Sequence, residues 1–365
     1  MKNREDIYYW KCDRPESMSS LGRTGEKHLS ALRKQVSSLC ANYFGDSQFV
    51  IGQSCGQGNH KNFIITHCGL DYFLRIDDGD DSDGYMLVET EVIRRVRELG
   101  VPTPKIFEVD VTRKEYPFAY QLMEKFSDSD INFIYKEGRL ETSSIMRQLG
   151  GHIATWQSIT ANGFGPFNTI ELSESGRLEA LHKTYQEYYY LNLDRHLDYL
   201  VSENFITGLL ADEIRKAISS ASACLELSKG CLVHKDIAFW NLIGRPDSIV
   251  SVIDWDDTIM GDPVDDLSLM ACYHSWSELE PLFDGYTEVR PLPDNFEIRF
   301  WLHLLRNMIF KAVIRVGAGY FSRRRDFFLV PSGGSGDNNL KEITLSRLES
   351  ALRGLEGTFE IQDLK

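Results

Sequence analysis

Several features that would place a protein in a membrane or outside the cell are missing from this sequence. It has no run of about 18 apolar residues, the length that a membrane-spanning helix needs. The opening segment, MKNREDIYYWKCDRPES, is polar and lacks the apolar core of a signal peptide. The seven cysteines form no Cys-x-x-Cys pair and are odd in number, which favours free thiols in a reducing compartment. We therefore predict a cytoplasmic protein that contacts no membrane.

Basic residues are also in the minority. The chain has 40 Lys plus Arg against 54 Asp plus Glu, a formal net charge of −14. Nucleic-acid binding depends on clustered cations, so this balance predicts no nucleic-acid partner. An acidic protein suits a cationic small molecule, although many cytosolic enzymes are equally acidic. The sequence has no internal repeat and leaves the oligomeric state open.

The first third of the chain combines helical and strand-like patterns. Apolar residues at helical spacing predict a helix over residues 26–44. Three strand-like runs, a helical segment and two further strand-like runs follow: FVIGQSCGQ, NFIITHC, DYFLRID, residues 85–99, KIFEVDV and PFAYQLME. The change of pattern near Lys125 predicts a small N-terminal α+β lobe over residues 1–124, which includes the helix at 26–44.

Helical spacing dominates the rest of the chain. Helices are predicted over residues 141–160, 176–201, 209–229, 264–275, 294–317 and 339–355. The clear strand-like runs in this part lie within LVHKDIAFWNLI and VSVIDWDDTIM. We predict an α+β protein whose larger C-terminal lobe, residues 125–365, is mainly helical. The segment PSGGSGDNN, residues 331–339, is predicted to be a flexible loop.

Polar groups interrupt these two strand-like runs at a spacing that suits phosphate chemistry. His234, Asp236 and Asn241 form His-x-Asp-x-x-x-x-Asn, and Asp254 follows 13 residues later. If the two runs are neighbouring strands, the side chains of Asp236, Asn241 and Asp254 can converge. Carboxylate and carboxamide oxygens are hard ligands that suit Mg²⁺. Phosphoryl transfer needs little more from a protein than such a site, a proton acceptor and charge neutralisation.

These motifs resemble those of the aminoglycoside phosphotransferase and choline kinase-like family, small-molecule relatives of the protein kinases. The family pattern is His-Gly-Asp-x-x-x-x-Asn, then Ile-Asp-[Phe/Trp]-[Asp/Glu], then Gly-Asp-Pro-x-x-Asp-Leu. The chain has HKDIAFWN, IDWD and GDPVDDL in the same order. The resemblance implies a two-lobed, protein-kinase-like fold with an antiparallel sheet and one helix in the small lobe. It also implies that Asp236 is the catalytic base, that Asn241 and Asp254 hold Mg²⁺, and that His234 supports the loop.

The small lobe carries the other parts that the resemblance requires. GQSCGQGNHKN, residues 52–62, is the candidate loop over the phosphates, with Gly56 and Gly58 close to them. Arg75 on the third strand would contact phosphate oxygens, and Glu89 on the helix would position it, with Glu91 as the second choice. Met123 and Glu124 would contact the adenine at the hinge. Cys55 and His60 in the loop are interpreted as incidental.

The resulting prediction is a small-molecule kinase that uses ATP and Mg²⁺, with GTP left open. The acceptor would be a hydroxyl-bearing aminoglycoside, amino alcohol or sugar-like molecule. The acidic residues in its vicinity mildly favour a cationic one: Asp254, Asp256, Asp257, Asp262, Glu278 and Glu280.

Two alternatives stay open at this point. Lys235 replaces the usual glycine of the family motif, which is compatible with an inactive nucleotide-binding pseudokinase. VIDWDDTI also fits the nucleophile motif of haloacid-dehalogenase-like phosphatases, in which Asp254 would be phosphorylated. That reading requires a parallel sheet and leaves HKDIAFWN unexplained.

Overall fold

The computed structural model describes residues 3–13, 26–54, 60–79, 83–322 and 340–365. Gly56, Gly58, Cys55 and the segment 331–339 lie outside these ranges, so the predictions made for them are not addressed. The first elements are a short helix, α1 (Trp10–Asp13), and the predicted long helix, α2 (Glu26–Phe44). No helix in the described ranges is long and apolar enough to span a membrane.

A five-stranded antiparallel sheet follows α2 and confirms the predicted order of elements. It contains β1 (Phe49–Ser54), β2 (Lys61–His67), β3 (Leu70–Asp77), β4 (Ile106–Asp110) and β5 (Ala119–Glu124), arranged as β1-β2-β3-β5-β4. Helix α3 (Tyr85–Glu98) connects β3 to β4. In this register Arg75 on β3 lies between Asn62 on β2 and Gln121 on β5, at the centre of the sheet.

The rest of the described chain is mainly helical. Its helices are α4 (Ile131–Lys136), α5 (Thr142–Trp156), α6 (Thr169–Ser175), α7 (Tyr185–Tyr189), α8 (Leu193–Ser202), α9 (Gly208–Ser220), α10 (Val264–Met270), α11 (Trp276–Thr287), α12 (Phe296–Gly317) and α13 (Leu340–Leu355). Short 3₁₀ turns cover Ser222–Leu225, Phe239–Asn241, Tyr320–Ser322 and Ile361–Asp363. Together with the five-stranded sheet, these elements confirm the predicted α+β class.

Two small antiparallel sheets run through this helical part. One has the order β11-β10-β6, and the other has the order β8-β7-β12-β9. Their strands are β6 (Ser129–Asp130), β7 (Phe164–Phe167), β8 (Ala180–His182), β9 (Cys231–Val233), β10 (Leu242–Arg245), β11 (Ser248–Val252) and β12 (Ile259–Gly261). Of these strands, β9, β10 and β11 were predicted from the sequence. The strands β6, β7, β8 and β12 were not, because strands of two to four residues are too short to show a period.

The predicted helix over residues 176–201 is wrong in its first half and interrupted in its second. Residues 180–182 pair as β8 with β7, and Thr184 caps α7 by accepting a hydrogen bond from the backbone of Glu187. Asn192 then adopts a left-handed conformation, with φ of 56°, and separates α7 from α8. The aromatic run YQEYYY, residues 185–190, lies between these two breaks, and its composition alone does not reveal them.

The buried apolar residues form two clusters that determine where the functional groups lie. Helix α2 packs on one face of the five-stranded sheet in the smaller cluster. Helix α3 belongs instead to the larger cluster, with the helices of the second half of the chain. Residues 3–13 join the larger cluster as well: Tyr9 stacks on Phe310 of α12 at 4.2 Å, and Tyr8 stacks on Tyr188 at 4.9 Å. The predicted division of the chain at residue 124 stays a prediction.

Candidate active site

The 234–241 loop, which follows β9, is anchored by a buried carboxylate. Asp266 at the start of α10 accepts hydrogen bonds from the backbone N–H groups of His234 at 2.9 Å and Lys235 at 3.0 Å. The indole of Trp156 donates to the same carboxylate at 3.1 Å. The His234 ring lies 3.0 Å from the carbonyl of Ile253 and 3.3 Å from the backbone nitrogen of Asp236. The conformation of the loop is therefore coupled to the segment that carries Asp254.

Asp236 and Asn241 are held together at the end of this loop. The Asn241 side-chain nitrogen donates to the Asp236 carbonyl at 2.7 Å and contacts its carboxylate at 3.3 Å. The backbone carbonyl of Asn241 in turn accepts a hydrogen bond from the backbone N–H of Ile253 at 3.0 Å. Since the amide nitrogen is used in these contacts, the side-chain oxygen of Asn241 is the atom left for a cation.

Asp254 follows β11 in a left-handed conformation, with φ of 65°. This conformation is costly for a residue with a Cβ and directs the chain sharply out of the strand. The Asp254 carboxylate is one-third exposed and accepts a hydrogen bond from Arg75 at 3.2 Å. It lines the same cavity as Asp236 and Asn241. The structure thus brings together the three groups that the sequence singled out.

Arg75 connects the sheet to this segment. Its guanidinium donates to both carboxylate oxygens of Glu89, at 2.7 and 2.8 Å, and to Asp256 at 2.8 Å. Glu89 also accepts the backbone N–H of Trp255 at 3.2 Å, so it links α3, β3 and the Asp254 segment. Glu91 instead pairs with arginines on its own helix. Of the two glutamates considered, Glu89 is the one in contact with Arg75.

The carboxylates around Arg75 repel one another. Burial and then Asp256 raise the pKa of Asp254, and the same two causes raise the pKa of Asp257 to about 7. Burial alone would also raise the pKa of Asp256, but Arg75 and His60 hold it well below its usual range. Arg75 alone does not neutralise this group, so a further cation would stabilise it.

One cavity of about 560 Å³ contains these groups and extends to the predicted hinge. Met123 and Glu124 line it at the end of β5, and Arg75, Glu89, Asp236, Asn241 and Asp254 line it as well. All of the predicted site residues that the structure describes therefore line a single cavity. Their roles stay predictions.

Several residues that line the cavity were not predicted from the sequence. His60, interpreted as incidental, lies 3.3 Å from Asp256. Lys11 and Lys311 lie 3.8 and 3.7 Å from the Asp236 carboxylate, and Arg315 also lines the cavity. Lys311 and Arg315 are spaced i, i+4 on α12, but that helix is apolar on most sides and its sequence gives no signal for a site.

Lys235 is buried and does not reach the cavity. Its ammonium group donates to Asp265 at 2.6 Å, to the hydroxyl of Tyr8 at 2.9 Å and to Asn307 at 3.3 Å. Burial would lower its pKa, but Asp265 and Tyr8 outweigh burial and raise it. The backbone of Lys235 has φ of 69°, a conformation for which glycine is preferred. The side chain thus stands at the position of the family glycine but points into the buried network and does not line the cavity.

The acidic residues beyond Asp257 lie elsewhere. Asp262 is fully buried and pairs with Arg299. Glu278 accepts a hydrogen bond from the hydroxyl of Tyr135 at 2.8 Å and lies 3.3 Å from His274. Neither lines the cavity, so they do not form the acidic acceptor surface that the sequence suggested.

The donor set at Asn241 and Asp254 fits Mg²⁺. It offers one carboxamide oxygen and one partly exposed carboxylate, next to buried carboxylates whose mutual repulsion a cation would relieve. Magnesium sites in phosphoryl-transfer proteins typically have few protein ligands, which leaves room for water and phosphate oxygens.

The comparison with known families places the chain clearly. A model described as the phosphotransferase enzyme family matches residues 53–301. No curated protein sequence matches the chain significantly.

Solved structures share the fold across almost the whole chain. One is a thermostable mutant of aminoglycoside phosphotransferase APH(4)-Ia in ternary complex with AMP-PNP and hygromycin B, with TM-score 0.60, 17% identity, and coverage of 88% of this chain and 98% of that one. A second is a putative fructosamine-3-kinase from Haemophilus somnus 129PT, with TM-score 0.57, 14% identity, and coverage of 87% and 97%. A third is macrolide 2′-phosphotransferase MphH from Brachybacterium faecium, with TM-score 0.53, 14% identity, and coverage of 90% and 98%.

These likenesses confirm the predicted two-lobed, kinase-like fold. The phosphatase alternative is not supported, because β11, the strand before Asp254, belongs to an antiparallel sheet, whereas that fold requires a parallel one.

Proposed function

The chain belongs to the phosphotransferase enzyme family, and on that premise we propose that it transfers the γ-phosphoryl group of ATP to a hydroxyl group of a small molecule. The convergence of Asp236, Asn241, Asp254 and the Arg75–Glu89 pair in one cavity carries this proposal. A solved relative in fold is a complex with AMP-PNP, which supports a nucleotide in the cavity.

The nucleotide would occupy the part of the cavity between the sheet and the Asp254 segment. Met123 and Glu124, at the end of β5, would contact the base, mainly through the backbone. Arg75 would donate to phosphate oxygens, and the hydrogen bonds of one of its guanidinium nitrogens to both Glu89 oxygens hold the group in place for that purpose. The same arrangement is compatible with GTP, because nothing in it selects the base.

Asp236 would orient the acceptor and remove its proton. Its carboxylate is 5% exposed and faces the cavity, close to where the phosphates would lie. The acceptor hydroxyl would give its proton to Asp236 while its oxygen forms a bond to the γ-phosphorus. The bond from the γ-phosphorus to the bridging oxygen would break, and ADP would leave with that oxygen.

Asn241 and Asp254 would hold Mg²⁺ through their side-chain oxygens. The ion would neutralise the charge that develops on the phosphate oxygens. The left-handed backbone of Asp254 and the contact of Ile253 with Asn241 keep these two oxygen donors on the same wall of the cavity.

The proposal is tested by measuring ADP release with ATP, Mg²⁺ and a panel of alcohols, including aminoglycosides, amino alcohols and sugars. Asp236→Ala is expected to lower turnover about 100- to 10,000-fold, the range that general-base catalysis contributes. Asp254→Ala should abolish turnover and weaken Mg-ATP binding. Asp198→Ala, an exposed carboxylate on α8 that pairs with Arg215, is the matched control and should leave both unchanged.

Three outcomes separate the alternatives. Turnover that depends on Asp236 supports the kinase. Mg-ATP binding by calorimetry without turnover of any acceptor indicates a pseudokinase. Full activity in Asp236→Ala or Asp254→Ala would overturn the mechanism.

A further inference from the structure

The end of the cavity next to Asp236 is lined by cations that lack matching carboxylates. Lys311 and Arg315 stand one helical turn apart on α12, and both line the cavity. Lys11, from the N-terminal segment, approaches the same carboxylate from another direction. A site for a cationic acceptor would carry the opposite charge here.

Arg315 is the clearest case. It is 2% exposed, and its guanidinium donates to the neutral hydroxyl of Thr344 at 2.7 Å and also hydrogen-bonds Tyr273, another neutral group. In the part of the chain that the structure describes, it forms no ion pair with a carboxylate. Burial lowers its pKa, and Tyr273 and Cys272 are the groups that oppose this most. A buried guanidinium without a counter-ion is costly, and an anion bound in the cavity would remove that cost.

Lys311 shows the same deficit in a milder form. Its ammonium group lies 3.7 Å from Asp236, which is beyond hydrogen-bond distance, and burial lowers its pKa. Asp236 is also the nearest carboxylate to Lys11, at 3.8 Å. Lys11 differs, because Asp236, Asp254, Asp257 and Asp256 together raise its pKa against the effect of burial. Among the described residues of the cavity, Lys311 and Arg315 on α12 are therefore the cations with the least compensation.

We propose that the acceptor is an anionic alcohol, which carries a carboxylate or a phosphate group that binds Lys311 and Arg315 while its hydroxyl reaches Asp236. This inference rests on the proposed function, since Asp236 defines the reacting hydroxyl. The Lys311 ammonium group lies 3.7 Å from the Asp236 carboxylate, so the anionic group would lie only a few bonds from that hydroxyl. Arg315 offers the planar fork that suits either anion, and Lys311 adds a point charge.

The first experiment measures anion binding without knowledge of the acceptor. The protein is saturated with Mg²⁺ and AMP-PNP, so that the nucleotide site is filled, and is titrated by calorimetry with malonate or with inorganic phosphate. Wild-type protein is expected to bind at least one of them. Arg315→Met and Lys311→Met should each weaken that binding about 10- to 100-fold, the value of a charge-assisted hydrogen bond. Arg315→Lys should retain part of it.

A matched variant separates binding from a structural role. Thr344→Val removes the hydrogen bond between α12 and α13 but keeps the guanidinium. If Arg315 serves only to join these helices, Thr344→Val and Arg315→Met will affect anion binding equally. If it binds the acceptor, Thr344→Val will stay within about threefold of wild type, because the cation is still present.

The second experiment compares the turnover of glycerate and of glycerol 3-phosphate with that of glycerol, which lacks the anionic group. Ethanolamine and hygromycin B serve as cationic alcohols. Preferential turnover of glycerate or of glycerol 3-phosphate, with a raised KM in Arg315→Met, supports the proposal and identifies the anion. Turnover of neutral or cationic alcohols that Arg315→Met does not alter overturns it and leaves the kinase function intact. Absence of anion binding in wild type, or equal binding in Arg315→Met, also overturns it. If the protein binds no nucleotide, the proposed function fails. The anion titration is then repeated on ligand-free protein, where it still shows whether wild type binds the anion and whether Arg315→Met weakens that binding.

Discussion

Asp257 and Asp262 are both buried and only five positions apart, yet their carboxyl groups meet different electrostatic surroundings. Burial alone would raise the pKa of Asp262, but His303 and Arg299 lower it to about 2. Burial and the neighbouring Asp256 raise the pKa of Asp257 to about 7. Asp262 has cations of the protein as its main partners, whereas Asp257 lies near the carboxylates of Asp256 and Asp236 as well as the cations Lys11 and Arg4.

Two lysines repeat this contrast, Lys235 in the 234–241 loop and Lys311 on α12. Lys235 is fully buried and donates to Asp265, Tyr8 and Asn307. Lys311, at the next turn after Asn307, has no acceptor within hydrogen-bond distance among the described residues. Its ammonium group instead faces the cavity.

The contrast separates two regions, the buried network of Lys235, Asp262, Asp265, Asp266 and Asn307, and the cavity in front of the 234–241 loop. In the network, Lys235 pairs with Asp265 and Asp262 pairs with Arg299, and breaking either pair leaves a buried charge alone. In the cavity, Asp254 and Asp256 crowd around Arg75, and Arg315 has no carboxylate partner among the described residues, so we expect ligands to complete the charge balance. Charge compensation therefore distinguishes groups that hold this fold from groups that would bind substrates.

The largest expected effect comes from removing one partner inside the network. Lys235→Met keeps the side-chain length and the left-handed backbone but leaves Asp265 buried without its cation. We expect the free energy of unfolding to fall by about 3–5 kcal/mol, measured by urea denaturation.

Lys311→Met is the matched control for that change. It removes a buried ammonium group that has no close partner, so we expect a change within about 1 kcal/mol, or a gain. Equal losses of stability in the two variants would contradict the distinction between network and cavity.

Asp262→Asn tests the network through pH. A carboxyl group whose folded-state pKa is lowered adds stability above its unfolded pKa, and this stability is lost as pH falls through the folded value. From the lowering to about 2, we expect Asp262→Asn to be less stable than wild type by about 2 kcal/mol at pH 7. Urea denaturation at pH 7, 4 and 3 should show the difference shrinking below pH 4. A difference that does not depend on pH would indicate a steric cause.

Asp257→Asn should behave in the opposite way. A carboxyl group with a raised folded-state pKa destabilises the fold above its unfolded pKa, fully so above pH 7. We expect the variant to be more stable than wild type at pH 8, with the gain vanishing near pH 4. Thermal unfolding across this range checks the trend, and a loss of stability at pH 8 would show that Asp257 is better compensated than its surroundings indicate.

The smallest effect is expected for Tyr8→Phe. This change removes the hydroxyl that accepts a hydrogen bond from Lys235 but keeps the ring stacked on Tyr188. Because Lys235 retains Asp265 and Asn307, the cost should be about 1 kcal/mol, measured by urea denaturation. A cost close to that of Lys235→Met would mean that the N-terminal segment, rather than Asp265, is the main partner of the lysine.

The sequence predicted the elements whose pattern is long or whose motif is specific. The helices α2 and α3, the five strands of the first sheet, and the approach of Asp236, Asn241 and Asp254 all followed from apolar period and motif order. The short strands β7, β8 and β12 were missed, because their pairing depends on partners that lie far apart in the chain. The partner of Lys235 was equally unpredictable, since Asp265 and Tyr8 are 30 and 227 positions from it.

By itself, the sequence determined the family and the α+β class and singled out Asp236, Asn241 and Asp254, because these depend on local period and on the order of short motifs. Only the tertiary structure decided what Lys235 contacts and which charges line the cavity. Those properties depend on which side chains from α12 and from residues 3–13 meet the 234–241 loop. The burial of that contact, rather than the residue types, sets which charges are matched and which remain for a ligand.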